Sequence, residues 1–427
     1  MPTIQDTDVV VVGAGLAGLT AATFLARGGL DVAVCERASE PGGRGRTRLE
    51  AGFALNQGPH ALYLHGPGAA VLARLGVRPD GRSPTGAGQL LRAGRSFPLP
   101  TRPLATLTSP ALSARGKLEL VALFARLGRV RTAGLARTST AAWLAEQVHD
   151  PSARALLGAS MRLSSFVAEL DTLSADAGVA QLRHAVRGVA YLDGGWARLV
   201  AAVAEQARAA GAALELSAKV EAIEPGTRRR WAVRLGERTI ACDRLVVAGS
   251  PSLADRLLAP LGLAPASGFA GATRPVRAAC LDLGLRGRWP GPARILDLDR
   301  PVYVTESASV AAVAPPEHAL LSGIWYRREV DAGEDARIEA QLREVVAPWL
   351  GGSELTPIVD RFLPNLIVAH DRPRPERGGL AGRARVEVGE GVCLAGDWVG
   401  EVGLLLDASL ASAEAASERL LDRARAA

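Results

Sequence analysis

Asp8 to Glu36 reads DVVVVGAGLAGLTAATFLARGGLDVAVCE. Val9 to Val12 is a short, wholly apolar run of the kind a buried parallel strand uses. Gly13, Gly15 and Gly18 follow at the spacing of a dinucleotide-binding turn. Leu19 to Arg27 has the apolar face of a helix, Gly28-Gly29 ends it, and Asp31 to Cys35 predicts a second strand closed by Glu36. Each part has a physical task. Gly13 permits the tight turn out of the strand, Gly15 lets the backbone approach a diphosphate, and Gly18 lets the helix pack against the sheet. The helix entrance, with Leu16 and Ala17, offers N–H groups and a positive dipole end to phosphates. Glu36 can accept hydrogen bonds from both hydroxyls of an adenosine ribose. An ordinary βαβ turn with a chance acid is the alternative, but strand, glycines, helix, second strand and acid all fall in the required order. At this point the dinucleotide could be NAD or FAD.

Working outward, Arg37 leads into Pro41-Gly42-Gly43-Arg44, where Pro-Gly-Gly demands a turn. Arg44 then places a guanidinium where the first turn already points phosphates, which suggests a second diphosphate clamp through charge-assisted bonding.

The rest of the composition bounds the answer. The chain has 427 residues, enough for two or three domains. Its net charge is +6, but lysine is confined to Lys117 and Lys219, so the excess is arginine. No dense basic run with interleaved aromatics points to nucleic acid, and Arg228-Arg229-Arg230 reads as a hairpin tip. Val9 to Ala26 carries no charge, yet its glycines and the lack of a basic leader argue against a membrane span or signal peptide. Cys35, Cys242, Cys280 and Cys393 are scattered through predicted strands, as buried free thiols in a reducing cytoplasm would be. His60 and His65 lie close together without further ligands, so no metal site is expected.

Along the chain, Gly52 to Leu64 predicts a strand, a Gly58-Pro59 turn and an apolar exit, and Pro67 to Leu75 a short helix. Gly76 to Pro110 is rich in Pro, Gly and Arg, with hairpin strands around Gln89 to Phe97. Ser113 to Arg131 is amphipathic, with Leu118, Val121, Leu123, Phe124 and Leu127 as candidate core residues. Thr138 to Gln147, Pro151 to Ser160 and Leu173 to His184 continue as helices. After the Gly194-Gly195-Trp196 turn come a helix to Ala210, strands at Ala213 to Leu216 and Lys219 to Ile223, a hairpin from Trp231 to Cys242 and a buried strand at Leu245 to Ala248. Beyond Pro260, further strands predict one sheet. In that region Pro357 to Phe362 reads as a strand and Pro364 to Glu376 as proline-broken. The chain closes with LAGDW at Leu394 to Trp398 and a long helix from about Leu405 to Ala424.

Taken together, these pieces resemble the FAD-dependent amine oxidase and phytoene desaturase superfamily. The VVVVGAGLAGL opening, Glu36, Pro41 to Arg44, Gly194 to Trp196, Lys219 to Ile223, LVVAGSP at Leu245 to Pro251 and LAGDW match it in order and spacing. The resemblance implies an α/β fold, with a Rossmann-like FAD-binding domain interleaved with a mixed sheet-plus-helices substrate domain. The FAD-binding domain would comprise residues 1–75, 190–260 and 380–427, and the substrate domain residues 76–189 (helical) and 261–379 (sheet). By the same resemblance, Gly13, Gly15, Leu16, Ala17 and Gly18 face the diphosphate and Glu36 the ribose, with Arg37 next to it. Gly42, Gly43 and Arg44 make the second phosphate and ribityl contact. The Val220 backbone meets the adenine, and Gly396 and Asp397 the diphosphate–ribityl end. Gly58, Pro59, His60 and Ala61 run beside the isoalloxazine, and Leu404 and Leu405 open the helix facing its pyrimidine ring, where the dipole would stabilise a reduced flavin.

Two departures redirect the expected substrate. Amine oxidases of this superfamily carry a lysine holding water at flavin N5, and neither Lys117 nor Lys219 fits that place. They also carry an aromatic residue before the last helix, where this chain has Leu405, and an aliphatic side chain offers a cationic amine no π face. The expectation is therefore an FAD-dependent oxidoreductase that desaturates a largely apolar small molecule by hydride transfer to N5. His60 is the candidate catalytic residue, and Arg162, Tyr191, Trp325 and Tyr326 are the candidate pocket residues. The electron acceptor, whether O2, quinone or NAD(P), and the oligomeric state stay open, and a peripheral membrane contact is compatible with a greasy substrate. The alternatives are an amine oxidase, a redox-neutral isomerase like the carotenoid isomerases the chain also resembles, and a lipid-binding module like the dissociation inhibitors of prenylated GTPases.

Overall fold

The computed structural model describes residues 4–85, 87–100, 103–350 and 355–426. Val9–Val12 lies inside a six-stranded sheet ordered Ala213–Glu215, Val32–Cys35, Val9–Val12, Arg244–Val247, Val392–Leu394 and Glu387–Gly389. The first five strands are parallel and the last is antiparallel. Strands distant in sequence thus share one sheet, and both of its faces are covered, which is why the valine run carries no polar residue. Alternation decides what each valine meets. Val9 and Val11 pack with the helices Leu16–Arg27, Trp196–Ala209 and Leu405–Ala426. Val10 and Val12 pack toward a second sheet of four strands, Ile4–Asp6, Arg238–Cys242, Trp231–Leu235 and Ala222–Pro225.

A seven-stranded sheet forms the other body. Its order is Thr356–Ala369, Val276–Arg286, His318–Tyr326, Val302–Glu306, Arg294–Asp297, Gly88–Arg92 and Arg95–Pro98. One face packs on the helices Ala114–Leu127, Thr140–Gln147, Pro151–Ser165 and Ala175–Val186. The other face packs on the helix Asp335–Leu350. The two bodies are tied by Arg361, which bonds the carboxylate of Asp282 inside this sheet and the carbonyl of Asn56 in the strand Phe53–Asn56.

Several local expectations change. The first helix begins at Leu16, not Leu19. Lys219 and Val220 lie in a connecting segment, and the strand there is Ala222–Pro225. Thr356–Ala369 is one strand running through Pro364 rather than a strand and a broken segment. It is the sheet's edge strand, where proline's missing donor costs no ladder bond. In the helix Ala114–Leu127 the buried face is Gly116, Leu120, Leu123 and Leu127, and the expected core residues Leu118 and Phe124 are exposed. Arg228, Arg229 and Arg230 do form a hairpin tip, and each is ion-paired: with Asp6, with Asp8 and Asp243, and with Glu390 respectively. All four cysteines are free and buried. Among the described residues no helix is long and apolar enough to cross a membrane, and no cluster of ligating side chains could hold a metal ion.

Candidate active site

The glycine turn is enforced by close contacts. A Cβ on Gly18 would lie 1.9 Å from the Gly13 carbonyl oxygen, and Gly13 itself has φ +105°. Gly15 is different: a Cβ there would meet nothing within 4 Å, so the space before it is open. The helix starting at Leu16 has no side-chain cap on Gly15 and no acid in its first turn. Its dipole end is therefore free for an anion.

Glu36 stands at the end of the neighbouring strand. Its Oε2 accepts from the Ala14 amide at 2.8 Å and its Oε1 from the Ala38 amide at 2.9 Å. Both oxygens are thereby oriented, and each retains further acceptor capacity. Arg37 points to solvent. The Pro41–Arg44 turn is held against the first one by the Gly42 amide, which donates to the Ala14 carbonyl at 2.8 Å.

Arg44 and Asp397, 353 positions apart, form an ion pair at 2.7 Å. The same Nη1 donates to the Val368 carbonyl at 2.7 Å. Asp397 also accepts from the His370 amide at 3.0 Å, and its other oxygen lies 3.0 Å from His370 Nδ1. Burial alone would raise this carboxyl, but Arg44 and His370 hold it well below the usual carboxylate range. Gly396 is fixed to the last helix by its amide, which donates to Ser412 Oγ at 2.9 Å. Val220 is buried, and its carbonyl accepts from Arg256 at 3.1 Å.

The Gly58–Ala61 loop sits between the two bodies. A Cβ on Gly58 would come 2.9 Å from Cys280 Sγ in the seven-stranded sheet. His60 Nδ1 is 2.7 Å from the Gly58 carbonyl, and its ring lies 4.6 Å from that of Trp196. Burial is the largest influence on this imidazole and holds it below its ordinary value, so it is neutral at pH 7.

Leu404 and Leu405 open the last helix, and Leu405 adopts φ +55°, the left-handed region that disfavours a branched side chain. They line a narrow crevice of about 10 Å³ with Ser165, Val167, Leu173, Val276, Ala369, Asp371, Arg372 and Pro373. One turn into the same helix, Asp407 accepts from the Gly68 amide at 2.8 Å and so caps the helix Pro67–Leu75.

The chain has four tyrosines, and they converge beside this crevice. The Tyr63 hydroxyl donates to the Ser164 carbonyl at 2.8 Å, and the Tyr191 and Tyr303 hydroxyls are 3.2 Å apart. Tyr326 is fully buried, packs edge-on against Phe166, and interacts electrostatically with Arg162, Tyr63 and Tyr191. Burial pushes the hydroxyls of Tyr63, Tyr303 and Tyr326 up, so they stay protonated. Arg162, Tyr191 and Tyr326 are thus brought together, whereas Trp325 is not. It lies on the opposite face of the sheet, donating its Nε1–H to Asp331 at 3.0 Å. Sequence reasoning missed His370, Asp407, Tyr63 and Tyr303. Only the scarcity of tyrosine could have singled out the last two.

A model of the FAD dependent oxidoreductase family matches residues 8–405, and the chain belongs to that family. It is 30% identical to the phytoene dehydrogenase of Streptomyces griseus over 286 residues, which are 58% of this chain and 55% of that protein. It is 33% identical over 121 residues to protoporphyrinogen oxidase 2 of Arabidopsis thaliana, covering 28% of this chain and 24% of the plant protein. These alignments thus span about half of the curated relatives' length at most. The fold is shared with putrescine oxidase bound to putrescine, at a TM-score of 0.72 and 18% identity over 99% of this chain and 100% of that one.

The cofactor is FAD, and the residues present fit it. The open space before Gly15, the uncapped helix entrance, the oriented Glu36 carboxylate and the Arg44 guanidinium supply the donors and acceptors that a diphosphate and a ribose require.

Proposed function

We propose that this oxidoreductase dehydrogenates a largely apolar small molecule held against the aliphatic side chains that open the last helix; the crevice they line, about 10 Å³, is itself only water-sized. The observation carrying this reading is that most of the crevice wall, Val167, Leu173, Val276, Ala369, Leu404 and Leu405, is aliphatic, with Ser165, Asp371, Arg372 and Pro373 as its remaining residues. No lysine stands there. Lys219 is exposed on the segment before Ala222, and Lys117 belongs to the outer helix Ala114–Leu127. An aliphatic wall desolvates a hydrocarbon at no cost and penalises an ammonium ion.

Bound FAD supplies the capacity to accept two electrons. The chain's own residues do the rest. The glycine turn and Glu36 hold the adenosine and diphosphate end. Asp397, kept ionised by Arg44 and His370, fixes the turn before the last helix. The neutral His60 is positioned by Gly58 and Trp196 as a proton acceptor at the loop between the bodies.

Anaerobic mixing tests this. The yellow holoenzyme should bleach with an apolar olefin such as phytoene or limonene, or with protoporphyrinogen, and not with putrescine. Bleaching by putrescine alone would contradict the reading. Isomerised product without bleaching would identify a redox-neutral isomerase instead. His60→Ala should retain FAD and lose about 100-fold in kcat, the scale of a general base; undiminished turnover would remove His60 from the mechanism.

A further inference from the structure

The helix Pro151–Ser165 links two spaces. Its last residue, Ser165, lines the crevice beside Leu404 and Leu405. A turn earlier, Arg162 lines a wider cavity of about 350 Å³ with Ala141, Leu144, Gly158 and Leu170, and with Arg154 and Asp171 as its other charged residues.

Arg162 differs from the other inward-facing arginines. Arg383 donates to the carbonyls of Gly400, Asp397 and Val402, and Arg361 to Asp282. Although the Arg162 carbonyl accepts from the Phe166 amide, the Arg162 guanidinium has no hydrogen bond or ion pair among the described residues. Its one polar neighbour of note is Tyr326, with which it interacts electrostatically. The Tyr326 hydroxyl is itself buried and has no hydrogen-bond partner among the described residues. A half-buried guanidinium whose side-chain donors are unpaired within the described chain is free to bind an acceptor that a ligand brings into the cavity. A carboxylate fits the guanidinium, since it takes two parallel N–H bonds from it. The aliphatic walls Ala141, Leu144 and Leu170 suit an apolar body.

We propose that Arg162 receives a carboxylate of the substrate. The substrate class then narrows to an apolar molecule with an acidic end, preferred over a pure hydrocarbon and over an amine. This rests on the reading of the Leu404–Leu405 crevice as the reaction site, because one helix carries both features.

Calorimetric titration of the holoenzyme with decanoate, decan-1-ol and decylamine tests it. The wild type should bind decanoate at least about tenfold more tightly than decan-1-ol, and decylamine most weakly. Arg162→Gln should abolish the preference for decanoate with FAD content and Tm unchanged. Arg162→Lys, which keeps the charge but not the fork, should retain part of it. Equal affinity for acid and alcohol in the wild type, or a preference surviving in Arg162→Gln, would overturn the proposal. The two readings fail separately. An Arg162-dependent preference in an enzyme that neither an apolar olefin nor an apolar unsaturated acid bleaches breaks the dehydrogenase reading alone. Bleaching by an olefin without that preference breaks the carboxylate site alone.

Discussion

The cofactor cradle and the substrate side meet at the Gly58–Ala61 loop, yet they treat polar groups in opposite ways. In the cradle nearly every group is already held within the chain. Glu36 takes two backbone amides, Asp397 takes Arg44 and both donors of His370, and Gly396 is tied to Ser412. On the substrate side, among the described residues, the Tyr326 hydroxyl has no hydrogen-bond partner and the Arg162 guanidinium lines a cavity without one, and Leu405 is backbone-strained. A site for an invariant cofactor can be ordered before the cofactor arrives. A site whose specificity comes from its substrate leaves its polar groups to be completed by that substrate, at a cost in stability.

The contrast can be broken by substitution, beginning with the largest effect. Gly18→Val forces a side chain into the Gly13 carbonyl, and backbone cannot yield as a flexible side chain would. A loss of about 3 kcal/mol in urea unfolding and a colourless protein are expected. Arg44→Ala strands the buried Asp397 with His370 alone. The guanidinium is partly exposed, so the loss should be about 2 kcal/mol, below the 3–5 kcal/mol of a fully buried pair.

Asp407 yields a pH-dependent test of opposite sign. Burial raises its carboxyl from 3.8 to about 6. Between those values the folded chain holds a proton the unfolded chain has released, so stability falls as pH rises through the window and stays lower above it. Asp407→Asn should raise stability at pH 7 by about 2 kcal/mol. It should reduce the slope between about pH 4 and 6 without removing it, because Asp371, also raised to about 6, contributes in the same direction. A variant less stable at pH 7 would show that the carboxylate is compensated there. The smallest effect belongs to Tyr326→Phe, which deletes an unpaired hydroxyl. Stability should be unchanged or higher by less than about 1 kcal/mol, whereas the same deletion at a satisfied hydroxyl would cost about that much.

The contrast also governs what could be read from sequence. The cradle is written in local signals: an apolar run, glycines at fixed spacing, an acid at a strand end. Residues 8–44 therefore spell out their strands and turns. The Arg44–Asp397 pair joins two such motifs across the chain. His370 and Asp407 could not be found this way, because their partners lie 27 and 339 positions off and no motif surrounds them. The substrate side is harder still. His318–Tyr326 is nearly all apolar because both faces of its sheet are covered, so alternation does not reveal that Tyr326 packs on the side of the helix Pro151–Ser165 and Trp325 on that of the opposite helix. Leu118 and Phe124 misled for a related reason: glycine and three leucines make the buried face of that helix, and the remaining apolar residues look like core until packing is known.

The account's central claim is that Gly13–Arg44 and Asp397 form a pre-ordered FAD cradle. Its most direct test is the visible absorbance spectrum of the purified protein beside that of Glu36→Ala. The wild type should be yellow with one FAD per chain, and the variant should lose most of its FAD on gel filtration while keeping the wild-type far-UV circular dichroism. A colourless wild type that cannot be reconstituted with FAD, or equal retention by the variant, would contradict it.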